Sequence, residues 1–380
     1  MKARSIKGNS TAEIKTALGE STADGYKPTL AFVFLTDLEE IDKVSAMIDA
    51  EGIFLFGAST SQKFTEQGIE PEGIVVLLLD IKPDNFKIVL KDFEPASVYE
   101  SACQVGASGK KSFDHPAFII SGADIKTPGE EIIRGLLDKA GDTVAVIGGM
   151  AGNPANFTGT VFTNHAKTSS GFVSLILDEE KVDVKGIAVS GWKPVGMEKR
   201  ITKSEGTWIY TIDNEPAMDV IKKFLGKEIT EGKKSEGVVN LDIYENYPLQ
   251  VQRESGQPMM RPVLLWNTAD QSVMVGGPVK EGSLFRFSLP PDLEVIDTVI
   301  ESSKAIKETS LQDADAMIVF SCIGRLASLG PMSSSELDGL ATTWNTPMAG
   351  FFSLGEFDKL DDSRPEFHGT TVSWVALKEK

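Results

Sequence analysis

AFVFLTDLEEIDKVSAMIDAEGIFLFGASTS, residues 31–61, is the stretch whose reading decides the fold. Ala31 to Leu35 is short, apolar and aromatic-rich, as a strand buried on both faces would be. Asp37 stands three residues before Glu40, the spacing of a capping box, in which each side chain satisfies an orphan backbone amide. Leu38, Ile41, Val44 and Ile48 then follow at helical spacing up to Gly52. A second apolar run, Ile53 to Phe56, leads into the small-residue loop Gly57 to Ser61, and a third strand is expected over Ile74 to Leu79.

The same order returns twice. Phe118 to Ile120 precedes the box Thr127-Pro-Gly-Glu130 and the apolar face Ile132, Ile133, Leu136, Leu137. Val144 to Ile147 then enters Gly148-Gly-Met-Ala-Gly152, and Phe172 to Leu177 closes the second unit. Near the C-terminus Met317 to Phe320 enters Ser321-Cys-Ile-Gly-Arg325, and Ser333 with Glu336 has capping-box spacing. Leu337, Leu340 and Trp344 make the helical stripe, Met348 to Phe352 runs into Ser353-Leu-Gly-Glu356, and Thr370 to Leu377 ends the series. A helical stretch precedes each unit, at Ala12–Leu18, Ala96–Val105 and Leu293–Ile306. Matching order at three places points to internal duplication.

The fold class expected is therefore α/β: two related domains with mixed β-sheets and packed helices, built from repeated strand–helix–strand–strand units. Residues 1–28 are expected to add a strand and helix to a first domain, 29–205, with 206–380 as the second. Val189 to Phe287 matches the repeat less well. It is expected to hold a helix at Ala217–Leu225 and a hairpin over Pro262–Gly277, as a diverged fourth unit.

The formal net charge is −17, which disfavours phosphate backbones and anionic lipids, so neither nucleic acid nor a membrane is expected as partner. Two cysteines exclude a disulfide framework and suit a reducing compartment. No signal-peptide core follows the basic N-terminus, and the apolar runs are too short for a membrane span, so a cytoplasmic protein is expected. The three histidines lack metal-ligand spacing, and no metal or cofactor is expected. Gly106 to Ser112 superficially resembles a phosphate loop but lacks the first glycine and precedes a strand instead of following one.

The strand-end loops carry a resemblance to the FIST family. In the N-terminal half the pieces are Phe56 to Thr60, Ile147 to Gly152, and Gly191-Trp-Lys-Pro-Val-Gly196 followed by Ile201-Thr202. In the C-terminal half they are Phe320 to Arg325 and Gly350 to Glu356, with His368 just beyond the span of Thr29 to Leu360. The resemblance implies a sensory protein that binds a small metabolite, an amino acid above all, and signals through a separate partner. Gly57-Ala58 stands where many relatives have a cysteine.

The candidate ligand-binding residues are Gly57, Ser59, Thr60, Gly148, Gly149, Cys322, Arg325, Gly355, Glu356 and His368. Glycine lets a ligand approach the backbone and the hydroxyls offer hydrogen bonds, though tight packing turns would need the same glycines. Arg325 and Glu356 follow strands flanking one helix. A guanidinium suits a carboxylate and a carboxylate suits an ammonium, matching the two ends of an amino acid, while a structural ion pair is the plainer alternative. Cys322 with His368 leaves open an enzyme reading, in which Cys322 is a nucleophile, against that of a buried apolar thiol. A scaffold that binds another protein is the third reading.

Overall fold

In the computed structural model, residues 1–94, 96–123, 127–155, 157–226, 234–235, 238–240, 246–253, 256–359 and 364–380 are described. The mixed α/β class holds, and the repeated unit is longer than the sequence suggests. Unit 1 runs β1 (Ala3–Gly8), α1 (Thr11–Thr22), β2 (Leu30–Leu35), α2 (Ile41–Ala50), β3 (Phe54–Ser59), an arm hairpin β4–β5 (Lys63–Thr65 and Gly68–Glu70), then β6 (Ile74–Leu79). Unit 2 repeats this with β7 (Phe86–Asp92), α3 (Val98–Ser112), β8 (Pro116–Gly122), α4 (Gly129–Ala140), β9 (Val146–Met150), the arm β10–β11 (Val161–Phe162 and Lys167–Thr168) and β12 (Gly171–Asp178). Unit 3 opens with β13 (Val182–Val189), and a long insertion follows, containing α5 (Ala217–Leu225). It resumes with α6 (Leu293–Thr309), β14 (Ala316–Cys322), α7 (Ile323–Leu329), α8 (Ser333–Trp344), β15 (Met348–Ser353), the arm β16–β17 (Glu356–Asp358 and Glu366–His368) and β18 (Val372–Glu379).

Each unit pairs its two central strands in parallel across a helical crossover: β2 with β3, β8 with β9, β14 with β15. Each arm then leaves its own unit and extends a neighbour's sheet, β10 on β3, β16 on β9 and β4 on β15. The exchange is cyclic: unit 2 arms unit 1, unit 3 arms unit 2, and unit 1 arms unit 3. Alternate residues of the central strands (Leu30, Phe32, Phe34; Ala117, Ile119; Ala316, Ile318, Phe320) face one shared core. The residues between them lie under each unit's own helices. Burial on both faces is why these strands read as unbroken apolar runs.

The insertion is an elaboration of unit 3, in place of the fourth unit expected. Its strands form an antiparallel sheet with its own apolar core, including the expected hairpin as Val263–Asn267 paired with Val273–Val275. The boundary expected at 205/206 falls in the turn between the paired strands Pro194–Glu205 and Trp208–Ile212. Two of the three six-stranded sheets, and the insertion's own sheet, draw strands from both sides of it.

The helix starts differ from expectation in an instructive way. Asp37 caps only a short 3₁₀ turn, while Glu40 accepts hydrogen bonds from Thr11 N and Oγ1 at 2.8 and 2.6 Å. Neither α4 nor α8 has a side-chain cap. The capping box that does form is Ser97 with Glu100, on α3, the helix that also contains the rejected phosphate-loop look-alike. Partners from elsewhere in the fold have claimed the acidic residues that local spacing assigned to caps.

Candidate functional site

The arms explain the glycine-rich loops. Each carries a central phenylalanine, in Lys63-Phe-Thr65, Val161-Phe-Thr163 and Glu356-Phe-Asp358, and each phenylalanine lies opposite a glycine: Phe64 on Gly350, Phe162 on Gly57, Phe357 on Gly148. A Cβ on Gly57 would stand 2.3 Å from the Phe162 ring, and one on Gly350 would stand 2.6 Å from Phe64. Close packing of the arm accounts for Gly57, whereas at Gly350 and Gly148 a Cβ would first meet the carbonyl of the parallel neighbour strand, Val319 O at 2.0 Å and Ile120 O at 1.9 Å. Gly57→Ala is expected to lower stability by about 1–3 kcal/mol through overpacking. Thermal melting of the variant checks this, and an unchanged midpoint would remove the packing explanation.

The loops nevertheless converge. Gly152 N donates to Ser59 O at 3.0 Å, Thr60 Oγ1 bonds Gln62 O at 3.0 Å and Phe352 O at 3.2 Å, and Thr160 N donates to Ser59 Oγ at 2.8 Å. Met150 N donates to Gly355 O at 2.8 Å, and Leu354 N to Met150 O at 2.9 Å. The structure therefore brings the candidate loops of all three units together, backbone on backbone.

The flanking arm positions separate the three junctions. Lys63, Val161 and Glu356 occupy matching places, opposite Phe351, Ala58 and Gly149. Only where unit 3 arms unit 2 do both polar places carry carboxylates. Glu356 and Asp358 alternate with Phe357 along the strand, so they share a face. Both are buried. Glu356 accepts from Ser353 Oγ at 2.6 Å and from Thr371 Oγ1 at 2.8 Å. Asp358 accepts from Ser373 Oγ at 2.8 Å, and His368 Nε2 lies 3.0 Å from the Asp358 carbonyl oxygen. Burial pushes both carboxyls up to about 8, against the hydroxyl bonds that favour the ionised form.

Arg325 stands close enough for its charge to act on Glu356, yet its bonds go elsewhere. The guanidinium forms a two-point pair with Glu336 through Nε, at 3.1 Å, and Nη2. Its Nη1 donates to the carbonyls of Ser190 at 2.6 Å and Thr370 at 3.2 Å, and its face lies 4.9 Å from the Trp192 ring centroid. Glu336, expected at a helix cap, is instead the counter-ion. Thr370 sits at φ +60, a left-handed conformation that a β-branched residue rarely adopts. Cys322 ends β14 at the N-cap position of α7, is buried, and donates its backbone N–H to Thr371 O at 2.9 Å. Arg325, Glu356, Gly355, His368 and Cys322 thus share one polar seam, with Gly148 and Gly149 at its edge.

A model of the FIST N domain matches residues 29–215, and one of the FIST C domain matches 217–358. The chain belongs to the FIST family. FIST domains are sensory domains associated with small-ligand binding. No relative is found among curated proteins. Among solved structures, a chorismatase at 1.08 Å resolution is similar over 99% of this chain and 97% of that one, at 8% identity and a TM-score of 0.36.

In this FIST protein the insertion covers the seam. Ser190 and Trp192 form its root, and Arg261 reaches from it to the Phe367 carbonyl at 2.9 Å and to Glu130 at 3.3 Å. Sequence reasoning missed Glu336, Asp358, Thr371 and Arg261. The Glu-Phe-Asp alternation was the available signal for Asp358, because it places two carboxylates on one face of an otherwise apolar strand. Among the described residues no group of three metal ligands occurs, and no helix is long and apolar enough to cross a membrane.

Proposed function

We propose that this FIST protein senses a small metabolite, with an amino acid the favoured class, at the seam beneath the insertion. It acts through a separate signalling partner in the cytoplasm. The observation that carries this reading is the buried pair Glu356 and Asp358, whose hydrogen bonds among the described residues come from hydroxyls and backbone amides. Two carboxyls kept from water are costly to the fold, and such groups concentrate at functional sites. An incoming ammonium would restore the charged state of Glu356. Entry requires the insertion to move about its root, where Gly191 is left-handed at φ +81 and Arg325 holds the Ser190 carbonyl. Ligand capture is in this way coupled to a motion that a partner can read. Arg325 is engaged by Glu336, so its part is to fix the root, and Arg261 is the guanidinium nearer the cover.

A thermal-shift screen of amino acids and common metabolites tests this. Ligand at ~100 times its dissociation constant stabilises by ~2.7 kcal/mol. Glu356→Gln should abolish the response to amine-bearing hits while sparing their des-amino analogues. A response that survives Glu356→Gln unchanged would remove the seam from the binding site. Cys322→Ser should leave affinity within a few-fold; loss of a measured turnover in that variant, with the fold intact, would favour the enzyme reading.

A further inference from the structure

Arg261 and Arg325 are both buried, at 2% and 0% exposure, but their hydrogen bonding differs. Arg325 fills its Nε–Nη2 edge with the two oxygens of Glu336. The same edge of Arg261 meets a single carboxylate oxygen, Glu130 Oε1, at 3.3 Å from Nη2. Its Nε has no hydrogen-bond partner among the described residues. Only Nη1 is well placed, 2.9 Å from the Phe367 carbonyl oxygen. A buried donor left without an acceptor is costly, and the group that fits a guanidinium edge is a carboxylate spanning both nitrogens.

The surroundings keep that edge clear. Gly277, at φ +139, makes room for the guanidinium, since a Cβ there would lie 2.7 Å from Cζ and 2.9 Å from Nε. Glu366, whose charge also acts on Arg261, is paired with Arg253 Nε at 3.2 Å. Glu130 is the loosely held member. Its side chain keeps 28% exposure against 2% for Arg261, so the carboxylate can turn out into water while the guanidinium cannot. Burial raises the Glu130 carboxyl above its ordinary value, against the opposing pull of Arg261, and so weakens its claim on the pair. The edge also lies beside the seam. Arg261 holds Phe367 in β17, and the next residue, His368, pairs with Glu356 across β16–β17.

We propose that Arg261 receives a carboxylate of the ligand bound at the seam, and that Glu130 gives up its place to it. The inference rests on the seam as the ligand site, and adds the group the ligand must carry and the residue it displaces. Because Glu130 belongs to α4, the exchange also frees the insertion from a helix of unit 2. Isothermal titration of the full chain with each of the twenty common L-amino acids, beside the corresponding amino acid amide, tests it. The amide keeps the ammonium and removes the carboxylate charge. At least one acid should bind, and its amide should bind about tenfold more weakly or worse, as loss of a charged hydrogen bond requires. In Arg261→Gln the acid should fall to the level of its amide. Glu130→Gln should bind the acid about two- to fivefold more tightly than wild type, because a competing carboxylate is gone. That variant keeps Arg261 and an acceptor for Nη2, so it decides the matter even where Arg261→Gln does not fold. The proposal is overturned if no acid binds, if amide and acid bind alike, if Arg261→Gln still tells them apart, or if Glu130→Gln binds the acid no more tightly than wild type. Binding lost in Glu356→Gln and kept in Arg261→Gln would leave the seam as the site and overturn this inference alone. Binding indifferent to both changes would remove the two readings together.

Discussion

Glu336→Ala is expected to destabilise the protein by about 3–5 kcal/mol, because it leaves the Arg325 guanidinium buried without its counter-ion. Arg325 and Glu336 are both buried and joined at two points, so water cannot replace the missing carboxylate without opening the seam. The carbonyls of Ser190 and Thr370 would still hold Nη1, but neither carries a full charge. Arg325→Lys should also cost stability, since an ammonium cannot reproduce the two-point fork or the contact with Trp192. Replacing both partners together by apolar residues of similar volume should be far milder than either single change, because no uncompensated charge remains. Urea denaturation of the two single variants and the double variant decides it. A midpoint for Glu336→Ala within error of wild type, at an unchanged slope, would mean that the pair is solvated in solution.

That pair marks where the sequence ceased to be legible. The strands and crossover helices could be read because strands buried on both faces are continuous apolar runs and helices carry a stripe at 3.6-residue spacing. The three helices preceding the units were visible for the same reason. The arms were not. Lys63-Phe-Thr65, Val161-Phe-Thr163 and Glu356-Phe-Asp358 are short, and each earns its place by pairing with a distant strand, which no local pattern records. Their shared phenylalanine was present in the sequence, but its meaning depends on Gly350, Gly57 and Gly148 lying opposite. Glu336 and Glu40 were misassigned for a related reason. A carboxylate three residues into a helix suits a capping box, yet a buried guanidinium or a neighbouring helix start competes for it, and here each distant partner wins. The candidate site followed the same division. Arg325, Glu356, Gly355, Cys322 and His368 do gather in one seam, but the partner of Arg325 and the second carboxylate, Asp358, required the fold.

The stability of the protein is expected to fall as pH rises from about 4 toward 8, through Glu356 and Asp358. Burial raises both carboxyls from ordinary values of 4.5 and 3.8 to about 8. In the unfolded chain they release their protons near the ordinary values; in the folded protein they keep them until about pH 8. The unfolded state therefore binds fewer protons across this window, and stability drops with pH by up to ~1.4 kcal/mol per pH unit for each group. Below pH 4 both states are protonated and the penalty is absent, while above pH 8 both are ionised and the loss levels off. Charges near the seam moderate the effect: Arg325 favours ionised Glu356, and Lys359 favours ionised Asp358. Glutamine and asparagine mimic the protonated side chains, so Glu356→Gln and Asp358→Asn should each flatten the decline. Their advantage over wild type should be largest at pH 8–9 and should fade toward pH 4–5. Glu40 is held down at about 2 by Lys43 and Thr11, so its own contribution is lost only on acidification and does not mimic this pattern. Denaturation midpoints of the three proteins between pH 4.5 and 9 provide the measurement. Parallel curves would show that the two carboxyls ionise freely in the folded state, and would withdraw the buried pair as the reason to place a ligand at the seam.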